Sequence, residues 1–101
     1  MATVEAVKGV KTEFLGGADD IVCIFTSPAK AVQVEAEGFT LDGATITAKG
    51  RSSTAQPDTI AFAEAKHVGV IRAENGAAYI GEVRISGVVA GTHNVTFYEV
   101  E

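Results

Sequence analysis

The stretch VGVIRAENGAAYIGEVRI, residues 68–85, limits the fold more than any other part of this chain. Tyr79, Val83 and Ile85 alternate with Glu82 and Arg84, a period of two that sends apolar side chains to one face of a strand and charges to the other. Between the two apolar runs, Asn75-Gly76 can take both positive-φ positions of a type I′ turn, so the spacing predicts a two-residue hairpin. Gly81 interrupts the second run and is expected to mark a bulge or a close backbone approach.

The same period recurs through the chain. In VQVEAEGFTLDGATITAKG, residues 32–50, Val32, Val34 and Ala36 oppose Gln33, Glu35 and Glu37. After Asp42-Gly43, Ala44, Ile46 and Ala48 oppose Thr45, Thr47 and Lys49, which predicts a second hairpin. DIVCIFT, residues 20–26, is apolar on both parities and reads as a central strand covered on both faces. Ser27-Pro28 should end it, because proline cannot donate to a ladder. LGGADD before it is a turn, and TVEAVKGVKTEFL supplies an opening strand or a broken pair. Residues 49–58, KGRSSTAQPD, are polar without periodicity and read as a loop. TIAFAEAKHVGV predicts a strand from Thr59 with a helical turn near Ala65. The predicted core is Val22, Ile24, Val32, Val34, Ile46, Phe62, Val83, Val95 and Phe97.

Composition agrees. Leucine occurs only at positions 15 and 41, tryptophan is absent, and 11 glycines accompany many β-branched residues. A chain of 101 residues is one domain, residues 1–101, with a core large enough to need no metal or disulfide. About seven or eight short strands, with turns roughly every 8–12 residues, predict an all-β, antiparallel β-sandwich. ISGVVAGTHNVTFYEV, residues 85–100, resembles the closing segment of immunoglobulin-like and transthyretin-like sandwiches, where a glycine turn precedes the last strand. That resemblance implies an immunoglobulin-like sandwich whose final strand completes a sheet. It sets His93, Val95 and Phe97 on one face and Asn94, Thr96 and Tyr98 on the other.

Chemistry-bearing patterns are scarce. The net charge is −5 and the eight Lys and Arg are scattered singly, which speaks against direct nucleic-acid binding. Cys23, flanked by apolar residues, reads as a buried thiol rather than a nucleophile. His67 and His93 stand in no metal-ligand spacing, and Asp19-Asp20 reads as a solvated turn rather than a calcium site. Ser52 or Ser86, either histidine and Asp58 make a triad only on paper, without a nucleophile elbow. Glu35 and Glu37 fall on an open strand face, where no pocket would raise one of them for acid catalysis. No glycine-rich phosphate loop occurs, and NVT at 94–96 matches a glycosylation sequon inside a predicted strand. The expectation is therefore no catalytic site, no cofactor and no metal. The start MATVEAVKGV lacks the apolar run of a signal peptide and no segment nears a membrane span, so synthesis in a cytosol is expected.

A short acidic β-rich chain without a chemical site resembles, in type, the small head-decoration (capsid cement) proteins of tailed bacteriophages. The resemblance implies a structural subunit that binds a capsid or other protein shell and copies of itself, as a homo-oligomer in an assembly. It would reside in the virion after synthesis in the host cytoplasm, with no nucleic acid or membrane bound. Contacts are expected from the N-terminal segment (Thr3, Glu5), the polar loop (Arg51, Ser52, Ser53) and Tyr98, the one aromatic that points outward. Strand edges at the two termini would offer unpaired main-chain groups to a neighbour. The alternative is an immunoglobulin-like binding module for a protein or carbohydrate partner. The absence of tryptophan counts against sugar.

Overall fold

Alternation along the chain becomes two packed sheets. The computed structural model describes residues 2–50, 58–72 and 80–100. They form nine strands: β1 (Ala2–Ala6), β2 (Thr12–Gly16), β3 (Asp19–Ala29), β4 (Ala31–Glu37), β5 (Thr45–Gly50), β6 (Asp58–Ile60), β7 (Val68–Arg72), β8 (Ile80–Ser86) and β9 (Gly91–Glu99). One short 3-10 turn, Leu41–Gly43, links β4 to β5. Sheet A has the order β1-β3-β8-β5-β6 and sheet B the order β2-β9-β4-β7.

The pairing follows one rule. β2 pairs with β9, β3 with β8, β4 with β7 and β5 with β6, all antiparallel, so the chain from β2 onward is a long ribbon folded back on itself. Rolling that ribbon adds the pairs β4–β9 and β5–β8 and splits it into two sheets. Eight strands nested this way have the connectivity of a double-sheet jelly roll. The likeness to immunoglobulin-like sandwiches therefore holds for the two-layer architecture, whereas the strand order follows the rolled ribbon. β1 adds a parallel edge strand, Ala2↔Asp19 to Ala6↔Cys23, to a sandwich otherwise antiparallel.

Nesting overturns both predicted hairpins. β7 pairs with β4 in sheet B while β8 pairs with β3 and β5 in sheet A, so β7 and β8 are not hairpin partners. Asn75-Gly76 and Tyr79 lie outside the described residues. β4 and β5 likewise belong to opposite sheets, with the 3-10 turn carrying the chain across. β5 does pair antiparallel with the strand that follows it, β6, and residues 49, 50 and 58 of the expected polar loop belong to those strands. A period-two pattern shows which side of a strand is buried. It carries no information about which strand lies alongside, and that is where the two expectations failed.

Facing is as the alternation requires. Val32 and Val34 are fully buried with Ala36, while Gln33 and Glu35 are half-buried and Glu37 is exposed. Ile46, Val83, Val95 and Phe97 fill the core, and Phe62 packs half-buried against it. Each large apolar side chain so buried contributes roughly 1.5–3 kcal/mol. Ile24 departs from expectation: it is 51% exposed, because Cys23 and Phe25 take the inward parity of β3. Val22 is buried, but on the outer side of sheet A, between Glu5 on β1 and Arg84 on β8.

Pro28 does not end β3, which runs on to Ala29. Beyond Cys23 the strand has no β1 partner, and its register with β8 shifts between Ile24 and Ala29, so proline's missing donor interrupts no regular ladder there. Gly81 is the expected bulge: Lys49 faces Glu82 while the next residue, Gly50, faces Ile80. β6 begins one residue before Thr59, and the predicted helical turn near Ala65 is absent. The carbonyls of Lys66 and His67 are instead taken by the N–H groups of Leu41 (2.8 Å) and Ala36 (2.7 Å).

Candidate interaction site

Where β1 ends, the chain must cross from sheet A to sheet B, and residues 7–11 make that crossing. Gly9 takes φ +80°, a left-handed conformation that costs glycine little, and its N–H donates to the Phe97 carbonyl at 2.8 Å. The Lys8 ammonium meets the Glu99 carboxylate at 2.9 Å, and the Val10 N–H closes a turn onto the Val7 carbonyl at 3.0 Å. The crossing is thus pinned to β9, yet Val7 and Val10 remain exposed.

Beside the crossing lies an open groove of about 420 Å³, lined by Glu5, Ala6, Val7, Lys8 and the run Ile24–Ser27. Its floor is the part of β3 that β1 leaves unpaired. Exposed Val7 and Ile24 give it apolar walls, and Glu5 and Lys8 place one charge of each sign at its rim. Behind the wall, burial pushes the Cys23 thiol up from its ordinary 9.0 to about 11, an effect that the nearby Lys8 charge only partly offsets. Such a thiol is protonated at neutral pH and is no nucleophile.

Comparison with known proteins bears on the fold. No family model matches the chain, and no curated protein is similar to it in sequence. Solved structures share its shape, two among them as follows. The pre-peptidase C-terminal domain of collagenase from Bacillus anthracis superimposes with a TM-score of 0.54 at 11% identity, over 94% of this chain and 93% of that one. PliG from Aeromonas hydrophila, a periplasmic inhibitor of g-type lysozyme, gives a TM-score of 0.52 at 14% identity, over 95% and 94%. At these identities the likeness establishes an all-β sandwich and nothing about activity.

The residues expected to meet a partner are spread over two surfaces. Glu5 lines the groove, and Thr3 is exposed on the same edge strand, opposite Asp20. Tyr98 points outward as expected, 37% exposed, but on sheet B, in a separate hollow of about 510 Å³ with Lys8, Gly9, Glu99 and Val100. Lys8 touches both depressions and so joins them. Arg51, Ser52 and Ser53 lie outside the described residues.

Among the expected terminal edges, β1 is one, but β9 is not: it lies between β2 and β4 and holds β4 from Val32↔Glu99 to Glu37↔Asn94. Ile24 and Val7 were missed as surface residues. The alternation of Ile24 with buried Cys23 and Phe25 was the signal that could have found the first of them.

The remaining candidates do not converge. Ser86 sits on β8 in sheet A and His67 is exposed ahead of β7. His93 is buried in the sandwich, its Nε2–H donating to the Val89 carbonyl at 2.7 Å. Glu37 pairs with Lys11 at 3.0 Å on the outer face of sheet B, where Glu35 lines the same shallow hollow. Asp19 accepts the Leu15 N–H at 3.0 Å and Asp20 accepts Arg84 at 3.1 Å, so both carboxylates serve the fold. Among the described residues no group of three or more His, Cys, Asp or Glu could hold a metal ion.

Proposed function

We propose that this protein is a non-catalytic assembly subunit that docks on a larger protein shell in many copies, as capsid decoration proteins do. One observation carries the reading. The β1 edge and the Ile24–Ser27 run of β3, which β1 leaves without a partner on its side, present main-chain groups beside exposed Val7 and Ile24, the combination that strand addition by a partner uses. An extended segment of the shell protein would lie along β3 past the end of β1, with an apolar side chain between Val7 and Ile24. Affinity per copy need not be high, because many copies on one lattice gain by avidity. Its place would be the virion, after synthesis in the host cytoplasm.

The test is the mass of the native material. Sedimentation should find the protein on a particle. Shells stripped of it should take back the wild type but not an Ile24→Asp variant of unchanged melting temperature. Native protein recovered only as a free species would overturn the reading. A second reading, a binding module for a saccharide, is favoured by the Tyr98 ring standing among Lys8, Glu99 and Val100. A change in tyrosine fluorescence on titration with glycans, lost in Tyr98→Ala, would support that module instead.

A further inference from the structure

The far edge of sheet B carries a different surface. β7 is last in its sheet, and its ladder phase follows from one bond: the Ala36 N–H donates to the His67 carbonyl at 2.7 Å, in line with the Glu35↔Val68 register. Directly opposed residues that exchange bonds alternate with residues that do not. His67, Gly69 and Ile71 therefore turn their main-chain groups toward β4, while Val68 and Val70 turn theirs away from the sheet. The side chains of Val68 and Val70 are 46% and 40% exposed on the outer face. Edge strands are usually guarded by a lysine, a proline or a bulge, and the run Val68–Val70 has none of these.

We propose that this edge pairs antiparallel with the same edge of a second copy, about a two-fold axis through Gly69. Val68 of each copy then lies opposite Val70 of the other, and the outward N–H and C=O groups of these valines in both copies close in hydrogen bonds. The occupant is argued from self-complementarity. The residues nearest the axis on the exposed parity are Val68 and Val70, so four valine side chains cluster on the common outer face. Gly69 at the axis faces its own core, where a Cβ would press on Phe62 and on Leu41 Cδ1 at 2.9 Å, and so leaves the outer face to the valines. The pairing rests on Val68 and Val70 and not on Arg72, which has an interaction of its own. Such a contact is isologous and closes as a dimer rather than a fibre.

Size and charge set its strength. Two five-residue edges bury well under the roughly 1,200 Å² below which interfaces are weak and transient. Each chain carries a net charge of −5, so like charges oppose the pairing and added salt should strengthen it. The proposal does not rest on docking at β1, which uses the opposite side of the sandwich.

Amide exchange and sedimentation equilibrium on the whole chain test it together. The Val68 and Val70 amides should exchange fast in dilute protein and slow as concentration reaches the millimolar range, while Gly69 and Ile71 are protected throughout. Apparent mass should rise toward a dimer, more so in salt. Val70→Pro removes an N–H that the fold does not use and should abolish the rise. If that variant does not fold, Val70→Lys keeps the backbone and should have the same effect. Wild type that stays monomeric at millimolar concentration in high salt would overturn the proposal. So would Val68 and Val70 amides already protected in dilute solution, or a folded Val70→Lys that associates like wild type.

Discussion

Replacing Gly38 by alanine tests how the end of the sandwich is packed. Gly38 has φ +94°, where an L side chain costs about 1–2 kcal/mol. A Cβ there would also overlap Nδ1 of His93. The imidazole has little room to retreat. Its Nε2–H is held by the Val89 carbonyl, and the ring stacks edgewise on Phe39 at 5.4 Å and tilts against Phe14 at 5.9 Å. Inserting one methyl into such a site costs about 1–3 kcal/mol. The sum, about 2–5 kcal/mol, should appear in urea unfolding and as a fall in melting temperature of about 8 °C or more. A double-mutant cycle separates the two causes. In a His93→Ala background the overlap vanishes and only the backbone cost remains, so the two changes should couple by about 1–3 kcal/mol. Independent effects would refute the clash, and a near-neutral Gly38→Ala would refute the whole account.

Other outcomes follow from the same packing. Phe97→Ala, at a fully buried site, should cost about 3–5 kcal/mol in urea unfolding. Lys8→Ala removes an exposed ion pair with Glu99 and should change stability by less than about 1 kcal/mol, which makes it a clean variant for binding assays. The folded Cys23 thiol is raised above its unfolded value, so its contribution is complete below pH 9.0 and is lost as pH rises toward about 11; urea midpoints measured across that window should fall, and less so for Cys23→Ala. Deleting residues 98–101 should destabilise the fold rather than spare it, because Tyr98 and Glu99 pair with Gln33 and Val32, and the Val100 N–H donates to Ala31.

Facing was legible in the sequence and neighbourhood was not. The predicted parity is buried for Val32 and Val34 against Glu35, Val83 and Ile85 against Arg84, and Val95 and Phe97 against Tyr98, although Thr96 on the outer parity of β9 is buried as well. Alternation is local, enforced by the pleat, so a single strand reveals it. Pairing is a property of the rolled ribbon, where β2 meets β9 across most of the chain, and a dipeptide such as Asp42-Gly43 or Asn75-Gly76 reads alike in sequence whether a strand returns beside its predecessor or crosses to the other layer. The candidate site was half legible for the same reason. Glu5 and Thr3 could be assigned to an N-terminal edge strand, but the groove exists only because β1 runs parallel to β3 and stops at Ala6 while β3 continues. That mismatch in strand length turns Ile24, read from its composition as core, into the wall of a surface groove. A chain with β1 extended to residue 9 would pair Ile24–Thr26 and lose both the groove and the exposed edge of β3, so the early crossing at Gly9 is what leaves this face open to a partner.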